Sequence, residues 1–251
     1  MSLALPIVTF HAIDYLRGVI SFTPALFELS MRLFHQWGYR TLTLVDVIAY
    51  MRSHSAFPER SLVITFDDGY QSVYDHAFPI LRRYAFSATV FLTVGANGKM
   101  GNSDRLPPMS NRPMLSWGEI REMQRYGVEF GAHTLSHPDL TRLSIELAER
   151  EICDSKLIIE NNLNASVACF AYPYGRYNNQ SREIVSRHFA CACSDQLGLL
   201  NPRTDLYALE RVDAYYVRSE MLLGLIPGTL FPLYVKARNI PRTIRRALRL
   251  A

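Results

Sequence analysis

Leu62-Val63-Ile64-Thr65-Phe66-Asp67-Asp68-Gly69-Tyr70 is an apolar run that ends on two adjacent carboxylates and a glycine. The run reads as a buried strand. Two acids at the end of such a strand are costly unless something uses them. Side chains alternate across a strand, so neighbours point in different directions. One acid can therefore grip a metal while the other faces a bound water. Gly69 allows the tight turn that this geometry needs.

Working outward, Glu129-Phe130-Gly131-Ala132-His133-Thr134-Leu135-Ser136-His137-Pro138 carries two histidines four residues apart. With one of the acids they make a set of two imidazoles and a carboxylate. Three protein ligands are what a catalytic zinc-type site uses when it keeps a position open for water or substrate. The donor set suits zinc, and also cobalt, nickel or iron. A third element, Cys169-Phe170-Ala171-Tyr172-Pro173-Tyr174-Gly175, is a short apolar strand ending in an aromatic, Pro and Gly turn. Each element has a bland reading: a solvated acidic turn, a surface histidine pair, an ordinary strand exit. Their joint occurrence favours chemistry.

The pattern predicts strands over residues 7–10, 41–44, 62–66, 88–92, 129–132, 167–172 and 189–193. Helices are expected over 24–38, with Thr23 as N-cap and Pro24 in the first turn, and over 45–52. Further helices fall at 73–84, interrupted at Pro79, at 144–163 and at 179–188. Ser116-Trp117-Gly118-Glu119 fits a capping box for a helix to residue 126. Residues 95–113, rich in Gly, Asn and Pro, read as a long loop of the kind that is often functional. The alternation argues for an α/β fold with a mostly parallel sheet. The length, 251 residues, suits a (β/α) barrel, and 49% hydrophobic residues suffice for a core. In such barrels chemistry sits at the C-terminal strand ends, and Asp67, Asp68, His133, His137 and Tyr174 all fall just after expected strands.

TFDDGY, HTLSH and FAYPYG, in this order, resemble the motifs of the polysaccharide deacetylase family, also called the NodB-homology domain or carbohydrate esterase family 4. The match is to the branch with FAYPYG in place of an Arg-containing third motif, and it covers roughly residues 5–215. The resemblance implies a distorted, TIM-like (β/α)7 barrel, with a catalytic domain over 1–220 and a tail over 221–251. It implies a metal-dependent hydrolase that removes an N-acetyl group from an amino sugar of a polysaccharide, oligosaccharide or lipid-linked glycan. Asp68 would join His133 and His137 on the metal, and Asp67 would be the general base for the metal-activated water. The Tyr174 backbone N–H would donate to the oxyanion. Tyr172 and Pro173 in the same turn are expected to contact substrate.

The chain departs from the family pattern twice. Many members have an Arg two residues before the Pro, where it orients the base; here that position is Ala171. Arg211, in Leu209-Glu210-Arg211-Val212-Asp213, is the candidate replacement, against the alternative of a surface Arg. Many members also place a late His in an apolar strand to protonate the leaving amine. After Gly175 the sole His is His188, at a helix end, which reads as structural. His11 closes the first strand and is expected to contact substrate or act as the acid, with a core-edge role as the alternative. Trp117 can stack on a sugar ring, although packing at a helix N-terminus is the favoured reading.

A net charge of +4 is too weak to argue for nucleic acid. The N-terminus lacks a secretory-signal pattern, and Cys153, Cys169, Cys191 and Cys193 form no C-x-x-C pair; both features give a cytoplasmic expectation. No run reaches the ~18 apolar residues of a membrane span. Residues 221–235 are apolar but broken by Pro227, Gly228 and Pro232, and Lys236, Arg238, Arg242, Arg245, Arg246 and Arg249 follow without an acid among them. This tail reads as a solvated helix face or as a peripheral membrane-surface segment, which would suit an enzyme acting on a lipid-linked sugar at the inner leaflet. Two other functions compete. One keeps the site but removes a formyl or other acyl group from a lipid- or nucleotide-linked sugar, or cleaves another C–N amide. The other is a carbohydrate-binding protein with a decayed site, motivated by the missing acid and Ala171 and opposed by the intact Asp-Asp and His-His sets.

Overall fold

Seven parallel strands pair in chain order and close on themselves: β1 (Ile7–Phe10), β2 (Ser61–Phe66), β3 (Thr89–Leu92), β4 (Glu129–Ala132), β5 (Cys169–Ala171), β6 (Cys191–Leu197) and β7 (Leu209–Asp213). β1 completes the ring by bonding both β2, from Ile7↔Val63 to Phe10↔Phe66, and β7, at Val8↔Val212 and Thr9↔Asp213. The closed ring leaves no exposed edge within the barrel. The computed structural model describes residues 4–95, 104–107 and 109–250, with residues 242–250 as backbone alone.

Period-two burial on both faces explains the almost continuously apolar strands. Val8, Phe10, Ile64, Phe66, Val90, Leu92 and Phe170 face the helical layer, in one large apolar cluster. Ile7, Val63, Phe91, Cys169, Cys191, Cys193 and Leu209 form a second cluster inside the barrel. Gly131 of β4 leaves room for it, because a Cβ there would lie 2.5 Å from Phe91 and 2.8 Å from the Cys169 carbonyl. The helices are α1 (Pro24–Gln36), α2 (Leu44–Arg52), α3 (Phe78–Arg83), α4 (Trp117–Arg125), α5 (Ile145–Leu163), α6 (Asn179–His188), α7 (Glu220–Leu223) and α8 (Phe231–Leu250). Leu44, Val47, Ile48 and Met51 of α2 belong to the inner cluster.

Local chemistry sets the boundaries. Thr23 caps α1 by accepting from Leu26 N–H, and Ser116 and Glu119 form the expected capping box of α4. The strand expected over 41–44 is confined to Arg40–Thr41, because Thr43 and Asp46 make a capping box that starts α2 at Leu44. The helix expected over 73–84 opens as a π-helical turn, Val73–Ala77, before α3. Pro79 has no N–H for an α-type bond to residue 75, and the wider turn precedes it. β5 is shorter than expected, and β6 starts later and runs on to Leu197.

After residue 220 the chain stays on the barrel. Leu223, Ile226, Phe231 and Val235 are buried, Tyr39 Oη donates to the Ile226 carbonyl, and Tyr234 Oη donates to the Tyr216 carbonyl. The side chains of Arg242, Arg245, Arg246 and Arg249 lie outside the described residues, as do residues 96–103 and 108 of the expected 95–113 loop. No described helix is long and apolar enough to cross a membrane.

Candidate active site

Asp67 continues the inward phase of β2, after Val63 and Thr65, and its N–H extends the ladder by donating to the Phe10 carbonyl at 3.0 Å. Thr65 meets Thr9 hydroxyl to hydroxyl at 3.0 Å in the lumen below it. From β7, Arg211 clamps Asp67 with both terminal nitrogens, at 2.7 and 2.8 Å, and spends its Nε on the Ser194 carbonyl at 3.0 Å. The two side chains are only 6% and 5% exposed. Burial pushes the Asp67 carboxyl up, but the Arg211 guanidinium outweighs it and holds the group well below the usual carboxylate range. Burial opposes the Arg211 charge, and Asp67 more than restores it. The pair is therefore ionised at any working pH. His11 Nε2 lies 3.9 Å from Asp67 Oδ2.

Simple alternation would send Asp68 outward into the helical layer. Instead Asp68 has φ +78° and Gly69 φ +88°, two successive left-handed residues that break the strand phase. A Cβ on Gly69 would come within 2.9 Å of Leu92 Cδ2. The result places Asp68 Oδ1 3.5 Å from His133 Nε2 and 3.4 Å from His137 Nε2.

His133 follows β4 directly, and its Nδ1 lies 2.7 Å from the Ala171 carbonyl. A carbonyl only accepts, so Nδ1 carries the proton and the Nε2 lone pair faces Asp68. The loop to His137 turns through Thr134, φ +69°, and His137, φ +59°. Thr134 Oγ1 accepts from His137 N–H. Glu151 of α5 holds the loop from outside, accepting from Leu135 N–H and Ser136 N–H at 2.9 Å and from the Ser136 hydroxyl at 2.7 Å. Burial and the neighbouring His133 lower His137 to about 4, so it is neutral at pH 7, the form that can ligate.

These residues fit a divalent ion. Asp68 Oδ1 is buried without a hydrogen-bond partner, an exception among buried polar atoms that asks for a ligand. Ligands about 2.0–2.1 Å from a tetrahedral ion stand roughly 3.4 Å apart, which is the spacing from Asp68 to each imidazole.

After β5, Gly175 N–H donates to the Tyr172 carbonyl at 2.8 Å, closing a tight turn with Pro173 and Tyr174 at its centre. Tyr174 takes φ +56°, a strained choice for an aromatic residue, and its ring meets His137 edge-on at 4.6 Å. Gly175 is required by contact, because a Cβ would sit 2.1 Å from the Asp195 backbone N. Leu209 pairs with Cys193 while Arg211 pairs with Leu197, and this register shift bulges β6 where Ser194 and Asp195 enter the site.

These groups line one cleft of about 510 Å³ at the C-terminal mouth of the barrel. It brings together Asp67, Asp68, His133, His137, Tyr174, Arg211 and His11. Tyr172, Pro173 and Trp117 are not in its lining. Tyr172 is buried and stacked on Tyr177 at 4.9 Å, Pro173 is buried in the turn, and Trp117 packs against the core at the start of α4. The cleft adds Tyr70, Asp195 and Tyr216, which the sequence reading did not single out. Tyr70 is 1% exposed and its hydroxyl has no hydrogen-bond partner. Burial and then Asp68 push that hydroxyl up to about 12. Its position directly after Asp-Asp-Gly was the available signal.

A polysaccharide deacetylase family model matches residues 54–189, more than half of the chain. The chain belongs to the polysaccharide deacetylase family. As such it is a hydrolase of carbon–nitrogen bonds other than peptide bonds. The deacetylase is 28% identical over 209 residues to YxkH of Bacillus subtilis strain 168, whose name places it in the same family without a stated substrate; the match covers 83% of this chain and 70% of the relative. It is 28% identical over 176 residues to the poly-β-1,6-N-acetyl-D-glucosamine N-deacetylase of Staphylococcus aureus strain MSSA476, covering 66% of this chain and 58% of that protein. Among solved structures, the Streptococcus pyogenes deacetylase PplD in complex with acetate superposes with a TM-score of 0.76 at 26% identity, over 85% of this chain and 93% of that one. IcaB from Ammonifex degensii shares the fold, with a TM-score of 0.74 at 21% identity over 89% and 95% of the two chains.

Proposed function

We propose that this deacetylase removes the N-acetyl group from an amino-sugar unit of a glycan, with a divalent metal held by Asp68, His133 and His137, zinc being the first to test among the ions that this donor set suits. The observation that carries the reading is a buried, otherwise unsatisfied Asp68 oxygen converging with two imidazoles beside a clamped carboxylate, in one cleft. The bound ion supplies Lewis acidity, polarising the acetamide oxygen and acidifying water, which a base as depressed as Asp67 requires. Asp67 takes a proton from the attacking water, and Arg211 fixes its orientation. The Tyr174 N–H, at the tip of the turn, donates to the oxygen that gains charge as water adds to the acyl carbon. His11 Nε2, 3.9 Å from Asp67 Oδ2, passes the proton that Asp67 gained on to the nitrogen as the C–N bond breaks. The products are a free amine and acetate.

The Tyr174 ring, 58% exposed, and Tyr216 offer aromatic faces to a sugar at the cleft. The S. aureus relative is named for a β-1,6-linked N-acetylglucosamine polymer, so oligomers of that polymer are the first substrate to test. The test is metal content measured together with acetate release, with and without chelator. Metal near one equivalent in the cleft, and acetate lost on chelation, is expected. Metal bound but no acetate from any acetylated glycan would redirect the assignment to another acyl group.

A further inference from the structure

We propose a second metal site, on the outer helical layer, formed by Glu149, Cys153 and His188. Glu149 and Cys153 are four residues apart on α5 and so share one face. His188 is the last residue of α6, which packs against α5. One ligand atom from each lies within 4.8 Å of the other two. Carboxylate, thiolate and imidazole together are a zinc-type donor set. Regular helices fix the three Cα positions, so binding asks for side-chain adjustment on a framework already packed.

The surroundings favour a cation. Burial raises the Cys153 thiol, and Glu149 and Asp154 raise it further, which marks a locally negative environment. The nearby Lys156 is committed elsewhere, to the Val167 carbonyl and to Glu160. Cys153 is the one cysteine of the four that is not buried. Coordination would exchange the thiol proton for the ion and release that proton to solvent, with no other bond broken. The site would tie α5 to α6, and α5 also carries Glu151, which holds the His133–His137 loop.

The two sites separate cleanly, because the Asp68, His133, His137 set holds no sulfur. Metal-free full-length protein is titrated with Co²⁺, and the thiolate-to-cobalt charge-transfer absorption is followed in the near ultraviolet. The expected result is a band that saturates with binding at one site and is displaced by Zn²⁺. Cys153→Ser should abolish it and remove about one equivalent of bound metal, and His188→Ala should weaken the affinity about tenfold or more. His133→Ala with His137→Ala should remove the other equivalent and leave the band. Independently of any variant's folding, Zn²⁺ should slow alkylation of Cys153 in the native protein at least about tenfold. No band, a band that survives Cys153→Ser, or alkylation indifferent to Zn²⁺ would overturn the site and leave the cleft assignment untouched.

Discussion

Arg211 holds both oxygens of Asp67 in a two-pronged ion pair across 144 positions of sequence, from two strands that flank β1 on either side. Burial alone would drive the Asp67 proton on; the guanidinium keeps it off. Arg211→Met leaves that carboxylate buried and unpaired, so denaturant unfolding should show a loss of about 3–5 kcal/mol. The acid limb of kcat/KM should move to higher pH, because burial then loses its main opponent, with only His133 and His11 still acting against it. Pairing Arg211→Met with Asp67→Asn should recover most of the stability and none of the activity. Wild-type stability and an unmoved acid limb in Arg211→Met would rule out the clamp.

Asp67 and Asp68 are adjacent, yet their proposed roles predict opposite failures. Asp67→Asn should lower kcat by about 10²–10⁴-fold with metal content unchanged. Asp68→Asn should lose the cleft metal. Acetate release and metal analysis on the same preparations decide this, and loss of metal in Asp67→Asn would exchange the assignments.

Much of this site was legible because its chemistry is local in sequence. The strand-then-acid pattern of residues 62–68 set the barrel phase, and the four-residue spacing marked His133 and His137 as a pair. Arg211 was readable only through the family resemblance, as a candidate for the Arg absent at Ala171, with a surface Arg as the alternative. What stayed hidden depends on backbone geometry or on distant packing. Nothing in the run Thr65-Phe66-Asp67-Asp68 announces that Asp68 takes φ +78° and leaves the strand phase. Tyr172 looked like a substrate contact because it adjoins Tyr174, but the left-handed Tyr174 separates the two, one ring into the core and one to the cleft rim. Glu151 looks like any helix-surface acid until the His133–His137 loop folds back onto it. The end of β6 was missed: the strand was expected to stop at Cys193, whereas it runs on to Leu197 and its bulge delivers Ser194 and Asp195 to the cleft.

Glu151 makes three hydrogen bonds to the loop between the two imidazoles, all of them to Leu135 and Ser136. It is a positioning residue. Glu151→Ala should weaken metal affinity by roughly 10–100-fold, as loss of an outer partner does. Helix content by circular dichroism should stay unchanged, and Glu151→Gln should rescue part of the loss through its remaining acceptor. Metal affinity equal to wild type in Glu151→Ala would show that the loop holds itself.

His137 titrates near 4 in the folded chain and at about 6.5 when unfolded. Between these values the unfolded chain binds the proton and the folded chain does not. Stability from this group is therefore fully present above about pH 6.5 and is lost as pH falls toward 4, by roughly 3 kcal/mol in total. Urea unfolding of chelator-treated protein at pH 7 and pH 4.5 should show a steeper decline for wild type than for His137→Asn. Parallel declines would mean that His137 is not held neutral by the fold.

Tyr174 carries two separable features, a backbone N–H at the turn tip and a ring against His137. Its φ of +56° is one that glycine adopts freely. Tyr174→Gly should therefore keep the turn and gain up to about 1 kcal/mol from relieved strain, less the modest contact of a ring that is mostly solvent-facing. If the amide is the oxyanion donor, kcat should stay within a few-fold of wild type while KM rises, because the aromatic face at the cleft rim is gone. A fall in kcat of about 10² or more with metal still bound would give the catalytic role to the side chain instead, since removing an oxyanion donor costs about that much. Steady-state kinetics on N-acetylglucosamine oligomers, with metal content measured in parallel, separates the two.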